Sequence, residues 1–308
     1  MSASRAEEQP LTLSGVRVTN PGRVVYPPQG VTKGEIAAYL ERIADRMLPH
    51  VAGRPLSLVR CPRGQPHACF FQRHLAHGMP PGLHGFGIPG KDRKPYLYIE
   101  DRAGLIGTAQ TGALELHTWG ARIDDIEHPD RMIFDLDPDR GVPFTAVRET
   151  AFLVREILSS ARLDSFVMLT GGKGLHVIVP LSGHSSWNEV RDFSRGIAAA
   201  IAADEPGRYT IKASKARRHN RIFIDWMRNL RGGTAVAPYS MRARPRCPIA
   251  VPLRWDELPR IMSAARYDIG NIDRRLAALR KDPWQGMFEL DQDLPPNIGA
   301  LLARWNQT

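Results

Sequence analysis

The chain has 308 residues, of which 43% are hydrophobic and 24% charged, an ordinary globular composition with room for one large domain or two modest ones. Lys and Arg number 42 against 32 Asp plus Glu, and the net charge of +10 favours a polyanionic partner: nucleic acid, nucleotides or an anionic membrane surface. No run of 18 apolar residues and no apolar N-terminal signal segment is present, which excludes membrane-spanning classes and predicts a cytosolic protein.

In the first half of the chain, the strongest predicted element is an amphipathic helix. Thr32 is the expected N-cap of a helix from Lys33 to about Leu48, whose apolar residues follow helical spacing. The stretch from residue 62 to 95, rich in Gly, Pro and His, is predicted to be loop interrupted by Cys69-Phe70-Phe71. The other predicted elements are a loose lead over residues 1–12, strands within Arg17–Val25, Leu56–Val59, Tyr96–Ile99 and Leu114–His117, and a short helix near Arg102–Gln110.

The second half alternates strands with two long helices, and its centre is the stretch Arg131–Pro138. Met132–Phe134 are predicted to form a short buried strand that leads into two carboxylates and is closed by Pro138. The two long helices fit a mixed α/β fold with helices outside the sheets. The remaining predicted elements are helices at about Phe144–Ser160 and Trp187–Ala203, strands at Phe166–Leu169, Leu175–Val179 and Ile222–Trp226, and short helices around Trp255–Ala264 and Asn271–Leu279.

The central strand ends in two carboxylates, Asp135 and Asp137, which are two residues apart and therefore project from the same face. Two adjacent negative charges call for a positive partner, and oxygen-only ligands favour Mg²⁺ or Mn²⁺ over zinc. The alternative is an acidic turn at the strand end. A calcium loop is excluded, because Arg140 and Ala146 stand where an EF-hand needs glycine and glutamate.

Cysteines are few, and an odd set of this kind does not make a disulfide framework, so a reducing compartment fits. They are Cys61, Cys69 and Cys247. The cysteines and histidines between residues 61 and 77 match no common zinc pattern, and no zinc is expected.

A glycine-rich turn, Thr170-Gly171-Gly172-Lys173-Gly174, lies between two predicted strands. Its glycines would let backbone N–H groups approach an anion, and Lys173 adds charge. A tight hairpin turn is the alternative, and the spacing excludes a Walker A loop. His176 opens the next strand and, from its position alone, reads as a core histidine.

A third carboxylate, Asp225, follows another apolar strand and could complete the ligand set of a two-metal phosphoryl-transfer site. Arg218, Arg221 and Arg242 are near it in sequence, and guanidinium groups suit phosphate oxygens. A solvated basic face is the alternative for each single arginine.

Taken together, these stretches resemble the polymerase domain of bacterial ligase D, in the archaeo-eukaryotic primase superfamily. The resemblance covers nearly the whole chain. It is carried by Asn20–Pro27, Thr32–Gly34, Gly53–Pro62, Phe70–His74, Glu115–His117, Asp135–Pro138, Gly171–Val177, Arg221–Asp225, Ala237–Arg242, Trp255–Leu258 and Asp282–Trp284.

The resemblance implies a fold of two sheets flanking one active-site cleft and a single domain over residues 1–308. It implies a template-dependent primase-polymerase that prefers ribonucleotides, uses two Mn²⁺ or Mg²⁺ ions and fills gaps or extends ends in DNA break repair by non-homologous end joining. The partners it implies are DNA with a gap, overhang or 5′-phosphate end, nucleoside triphosphates and possible contacts with Ku and a separate ligase, and we expect a monomer at the nucleoid.

The same resemblance implies residue roles. Asp135, Asp137 and Asp225 would be the metal ligands and catalytic residues. The nucleotide would contact His117 at the ribose, Thr170, Lys173, Arg218 and Arg242 at the triphosphate, and Gly171, Gly172 and His176. DNA would contact Arg23 and Lys33 through a 5′-phosphate, Phe70 and Phe71 through the template strand, and Arg60 and Arg221. Lysine is common in the family at the position of Arg23, and serine at Thr170, so both departures keep the charge or the donor.

Two other classes remain as alternatives. A non-catalytic DNA-end-binding module would explain the charge and the aromatic pair, but not three aspartates at strand ends. A metal-dependent nuclease would explain the aspartates, but has less need of the glycine turn and His117. A Lys-x-Asp-Gly adenylation motif and a phosphoesterase module are not found, so we expect a stand-alone polymerase, an excised domain or a subunit that works with a separate ligase.

Overall fold

A computed structural model describes residues 9–88 and 94–296. Five α-helices are found there: α1 (Lys33–Val51), α2 (Arg102–Gln110), α3 (Phe144–Ser160), α4 (Trp187–Asp204) and α5 (Ile272–Ala277). The strands are β1 (Leu11–Leu13), β2 (Val16–Val18), β3 (Val24–Tyr26), β4 (Val31–Thr32), β5 (Leu56–Arg60), β6 (Phe70–Gln72), β7 (His84–Phe86), β8 (Tyr96–Tyr98), β9 (Ala113–Thr118), β10 (Arg131–Pro138), β11 (Phe166–Leu169), β12 (Leu175–Pro180), β13 (Tyr209–Thr210), β14 (Ile222–Asp225), β15 (Ala235–Val236) and β16 (Val251–Leu253).

Two sheets dominate the architecture. One has six strands in the order β13-β14-β10-β12-β11-β16, and the other has four in the order β15-β9-β5-β6. The pairs β1-β2, β3-β4 and β7-β8 form three small two-stranded sheets. The mixed α/β fold with two main sheets is as predicted from the sequence.

Helices cover the outer face of each main sheet, and alternation along β10 explains why. Met132, Phe134 and Leu136 are buried against α3 and α4 in one core. The intervening residues face the other way: Ile133 packs in a small cluster with Ala235 and Val236 of β15, and Asp135 and Asp137 follow it on the same face. The period of two therefore puts the carboxylates between the sheets.

The second core lies between the four-stranded sheet and helices α1 and α2. Helix α1 begins where predicted, because Thr32 and Glu35 form a capping box: the Thr32 side chain accepts from the Glu35 N–H, and the Glu35 carboxylate accepts from the Thr32 N–H. Ile36 and Leu40 are among the α1 residues that fill this core.

Three predicted elements need correction. The loose lead ends earlier than predicted, since Leu11–Leu13 pairs with β2, while residues 1–8 lie outside the described part. The single strand expected within Arg17–Val25 is two strands that belong to different sheets. The helix predicted around Trp255–Ala264 is only a 3₁₀ turn at Leu258–Arg260, because Pro259 in its middle cannot donate a helical hydrogen bond.

The cysteine prediction was wrong as well. Cys61 and Cys69 form a disulfide with Cα atoms 4.4 Å apart, and Cys247 is the buried free cysteine. Arg60 is the cross-strand partner of Phe70 in the antiparallel pair β5-β6, so the next residues beyond this pair, one after β5 and one before β6, are Cys61 and Cys69. Counting cysteines could not reveal this, because the pairing depends on strand register.

Candidate active site

A cleft of about 310 Å³ opens between the two main sheets. Eight of the predicted site residues line it: His117, Asp135, Asp137, Thr170, Gly172, Lys173, His176 and Arg242. Gly174, Arg228, Thr234, Ala235, Val236 and Arg244 complete the lining. Residues from both sheets and from two loops thus converge on one space.

The three aspartates lie on adjacent strands. Asp135 of β10 is the direct cross-strand partner of Asp225 of β14, and Asp137 is two residues further along β10. Asp225 is only 2% exposed and does not line the cleft itself, because the side chain of Arg228 lies over it. The register therefore brings together the carboxylates that the sequence pattern singled out.

Arginine and histidine side chains lie against these carboxylates. Arg228 donates from Nε to Asp225 Oδ2 at 2.9 Å and lies 3.5 Å from Asp135 Oδ2. Arg218 donates to Asp137 Oδ2 at 2.7 Å, and His176 Nε2 is 3.5 Å from Asp135 Oδ1. Over residues 9–88 and 94–296, no group of three or more His, Cys, Asp or Glu side chains is arranged to hold a metal ion.

The donor set nevertheless suits a hard divalent cation, since it offers oxygen atoms alone. Burial raises the pKa of Asp137, and the nearby charge of Asp135 raises it further. Burial also raises the pKa of Asp225 despite the Arg228 charge. At these two residues the effect of burial outweighs that of the arginine charges. At Asp135 burial also favours the neutral acid, but His176, Arg228 and Arg242 outweigh it and lower the pKa. Added positive charge would therefore stabilise the ionised forms of Asp137 and Asp225.

The glycine-rich turn joins β11 to β12 and forms one wall of the cleft. Thr170 closes it, with Oγ1 donating to the Gly174 carbonyl at 2.9 Å and accepting from the Gly172 N–H at 3.3 Å. Gly171 has φ +66°, and a Cβ on Gly174 would lie 2.1 Å from the Leu136 carbonyl oxygen. The segment is thus a tight turn, as the alternative stated, and Gly172, Lys173 and Gly174 line the cleft.

On the opposite wall, Glu115 and His117 project from the same face of β9. His117 Nε2 is 2.8 Å from Glu115 Oε2, and the same oxygen accepts from Arg242 Nε at 2.9 Å. The other carboxylate oxygen accepts from the Ala243 N–H at 2.8 Å. Arg242 also donates to the Thr170 carbonyl, which connects the β9 wall to the glycine turn.

The predicted DNA-contacting residues lie outside the cleft lining. Phe70 and Phe71 on β6 are 48% and 61% exposed, unusual for phenylalanine, and the Phe71 ring is 6.1 Å from the His117 ring. Arg60 stands over the Phe70 ring at 5.4 Å. Arg221 instead donates to the Pro206 carbonyl at 3.3 Å, on the segment before β14.

Arg23 and Lys33 are adjacent, as the resemblance implied. The Lys33 N–H donates to the Arg23 carbonyl at 2.9 Å, and Lys33 Nζ donates to the Thr19 carbonyl at 3.0 Å and to Gln110 Oε1 at 2.6 Å. Arg23 Nε is buried without a hydrogen-bond partner. Two cationic side chains with a buried, unsatisfied donor have the chemistry that an anion needs.

Sequence reasoning missed Glu115, Arg228 and Arg244 as site residues. Arg228 follows Asp225 by three residues in a 3₁₀ turn, so an Asp-x-x-Arg spacing was the available signal. Glu115 stands two residues before His117 on a strand, and the period of two was again the signal. Arg244 has no local signal, since its place in the cleft depends on the turn after Arg242.

Comparison with known proteins shows which family the chain matches. Residues 32–284 match the family model for the LigD primase-polymerase domain. The multifunctional non-homologous end joining protein LigD of Pseudomonas aeruginosa is 37% identical over 274 residues, covering 88% of this chain and 32% of its own length. The LigD protein of Mycolicibacterium smegmatis is 37% identical over 246 residues, covering 79% of this chain and 32% of its own length.

Among solved structures, the polymerase domain of Mycobacterium tuberculosis ligase D in complex with DNA superposes with a TM-score of 0.81 at 31% identity. That match covers 94% of this chain and all of the solved one. The chain thus spans about a third of the length of the curated relatives it matches, and the whole of the solved domain.

Proposed function

The chain belongs to the LigD primase-polymerase family, and we propose that it is a template-dependent nucleotidyltransferase that adds ribonucleotides at gaps or ends during DNA break repair. The observation that carries the proposal is that strand-end aspartates, Lys173 and Arg242 converge in one cleft. A bound triphosphate needs positively charged side chains for its oxygens and a metal ion held by carboxylates, and this cleft has residues for both.

The aspartates Asp135, Asp137 and Asp225 would hold two Mn²⁺ or Mg²⁺ ions, which when bound supply positive charge to the reacting phosphate. The chain's own cations do the rest of the positioning. Lys173 and Arg242 line the cleft and suit the triphosphate oxygens. The Thr170 hydroxyl would serve the same oxygens by turning its proton away from the Gly174 carbonyl. Arg218, which pairs with Asp137, could reach the same phosphates.

His117 lines the cleft on the β9 wall, where it would contact the ribose and favour nucleotides that carry a 2′-hydroxyl. Gly171, Gly172 and His176 shape the opposite wall, with the His176 ring buried against Asp135. The incoming nucleotide would therefore lie between the two sheets, with its sugar on one side and its phosphates on the other.

We propose that DNA lies along the exposed face of β6. Phe70 and Phe71 offer aromatic surface to template bases, and Arg60 adds charge beside them. Arg23 and Lys33 would take a 5′-phosphate on the downstream strand, while Arg221 would add general attraction for the backbone.

We further propose that residues 1–308 form a single domain that acts as a monomer at the nucleoid in the cytoplasm, on DNA ends that Ku and a DNA ligase also engage. The relatives are named for non-homologous end joining, which supports the setting. No helix within the described residues is long and apolar enough to cross a membrane.

The test is incubation with primed gapped DNA, labelled ATP and Mn²⁺ or Mg²⁺, each metal alone. We expect templated extension by one or a few nucleotides. Cleavage of the DNA would instead support a nuclease, and binding without chemistry would support a DNA-end-binding module.

A further inference from the structure

Glu115 on β9 joins two of the residues that line the nucleotide cleft, His117 and Arg242. It is 7% exposed, and its two oxygens accept from three donors: the His117 ring, the Arg242 guanidinium and the Ala243 N–H. His117 and Arg242 are the residues proposed to contact the ribose and the triphosphate. A single side chain thus orients the two groups that would hold opposite ends of one ligand.

The hydrogen bond to His117 also decides where the imidazole proton is. Burial raises the pKa of Glu115, but the His117 hydrogen bond, the Arg242 charge and the Ala243 N–H outweigh it and lower that pKa to about 2. The carboxylate is therefore ionised near neutral pH and can only accept hydrogen bonds. His117 Nε2, at 2.8 Å, must then be the nitrogen that donates.

Burial lowers the pKa of His117, and the charges of Arg242 and Arg228 lower it further against the opposing effect of Glu115. The ring is thus neutral near pH 7 and carries a single proton. With that proton on Nε2, the other nitrogen, Nδ1, has a lone pair and is an acceptor. Within the described part of the chain, Nδ1 makes no hydrogen bond.

We propose that Glu115 is a positioning and specificity-determining residue that fixes His117 as a hydrogen-bond acceptor for a sugar hydroxyl while it holds Arg242 in place for the triphosphate. This inference rests on the proposed function. It also states which partner donates: the 2′-hydroxyl donates a hydrogen bond to Nδ1. The cleft therefore selects a nucleotide whose 2′ group is a hydrogen-bond donor, and a 2′ group that is only polar or bulky does not suffice.

Asp135 also lies 3.5 Å from a histidine and from an arginine, but it is one of the proposed metal ligands, so the control is taken from outside the cleft. Glu257 makes a comparable bidentate contact with Arg275, at 2.5 and 2.8 Å, and is similarly shielded, but it lies outside the cleft lining and contacts no histidine. It therefore provides a matched control for the loss of a carboxylate charge from an arginine pair.

The first arm of the test is spectroscopic and needs no turnover. In wild-type protein labelled with ¹⁵N-histidine, the ring nitrogen shifts of His117, assigned by comparison with His117→Gln, should report protonated Nε2 and unprotonated Nδ1. In Glu115→Gln the amide can donate or accept, so the ring should move toward a mixture of the two tautomers. A proton found on Nδ1 in the wild-type protein would overturn the proposal.

The second arm compares ATP with its 2′-fluoro-2′-deoxy analogue, in which fluorine is close to a hydroxyl in size but has no proton to donate. Wild type should use ATP better by about threefold to tenfold in kcat/KM, as expected for one hydrogen bond. Glu115→Gln should bring this ratio close to one and raise the KM for ATP more than it lowers kcat, because Arg242 loses its charged partner and keeps only neutral acceptors. Glu257→Gln should leave the ratio unchanged.

The outcomes separate the two levels of inference. If wild type extends no primer, the proposed function fails, while the ring nitrogen shifts still decide whether Glu115 fixes the His117 proton. If Glu115→Gln lowers the melting temperature but keeps the wild-type preference for ATP over the fluoro analogue, Glu115 is only structural and the proposal is overturned.

Discussion

The two sheets that face each other across the cleft carry different chemistry. The six-stranded sheet contributes the carboxylates, and Arg218 and Arg228 pair with them, so its side of the cleft carries closely spaced opposite charges. The four-stranded sheet contributes His117 toward the cleft and the exposed Phe70 and Phe71 at its edge. On the proposed roles, the metal ligands and Lys173 belong to the six-stranded sheet and its turn, and the ribose and template contacts belong to the four-stranded sheet, so the two sets should be separable by mutation.

The largest expected effect is the loss of extension when one of the cleft aspartates is removed. Asp135→Ala or Asp137→Ala should reduce extension by about 100-fold or more, because the remaining carboxylates cannot hold the charge that stabilises phosphoryl transfer. DNA binding should be nearly unchanged, since the exposed aromatic pair is on the other sheet. The measurement is single-turnover extension beside a DNA-binding titration.

Asp139→Ala provides the matched control. Asp139 continues the same alternation beyond Asp137, but its carboxylate accepts from the Asn220 N–H at 2.9 Å and does not line the cleft. Its loss should leave extension close to wild type. Extension above about a tenth of wild type in both cleft variants would contradict the assignment.

The features that could be predicted from the sequence are those that depend on neighbouring residues. The apolar stretch Met132–Phe134 was predicted as a short strand, which the structure extends from Arg131 to Pro138. The period of two placed Asp135 and Asp137 on one face, because that inference depends only on neighbouring residues. Helices α2 and α3 were predicted with their observed bounds for the same reason. Local signals decide local structure.

Contacts between distant segments could not be predicted in that way. Arg242 reaches Glu115 across 127 positions of sequence, and the Cys61–Cys69 bond depends on the register of β5 against β6. The arginines that neutralise the aspartates were equally hidden: the sequence indicated that positive charge must be near, and suggested a metal, but could not show that Arg228 and Arg218 supply part of it.

The next effect concerns recognition of the DNA 5′-phosphate. We expect wild type to bind gapped DNA with a 5′-phosphate more tightly than the same DNA with a 5′-hydroxyl, by about 1.5–3 kcal/mol, as for charge-assisted hydrogen bonds. The double variant Arg23→Ala, Lys33→Ala should remove that difference and keep extension on simple primed templates. Competition binding with the two DNAs measures it.

Arg17→Ala is the control for general attraction. Arg17 is an exposed residue of β2, close in sequence to Arg23. Its loss should weaken binding to both DNAs by the same small factor, as expected when a single nonspecific phosphate contact is removed. An equal loss on both ends in the double variant as well would leave Arg23 and Lys33 only a generic role.

A smaller effect tests the aromatic edge. Phe71→Ala should weaken binding to a templating overhang by about 1 kcal/mol, near the lower end for one base stacked on an aromatic ring. Phe288→Ala is the matched control, since Phe288 is 58% exposed but belongs to a different surface beside Arg131. Equal affinity of wild type and Phe71→Ala for overhangs of any length would show that the ring does not stack on the template.

The smallest effect concerns the charge of Lys33. Burial lowers the pKa of its amine to about 8, with a further contribution from the Arg23 charge. Because the cation is the form present below that pKa, the preference for a 5′-phosphate should be greatest near pH 7 and decline by about twofold to fivefold as pH rises past 8. The phosphate itself changes little over this range, since its second pKa is about 6.

Lys33→Arg distinguishes the titration of Lys33 from that of any other group, because arginine stays charged over the same pH range. It should keep a phosphate preference that does not decline between about pH 7 and pH 9. The same pKa shift has a consequence for stability: the unfolded chain, with its lysine pKa near 10.4, binds more protons than the folded chain above about pH 8, so the Lys33 contribution to stability should increase with pH between these values. A pH-independent preference in wild type, or the same decline in Lys33→Arg, would show that the Lys33 charge does not select the 5′-phosphate.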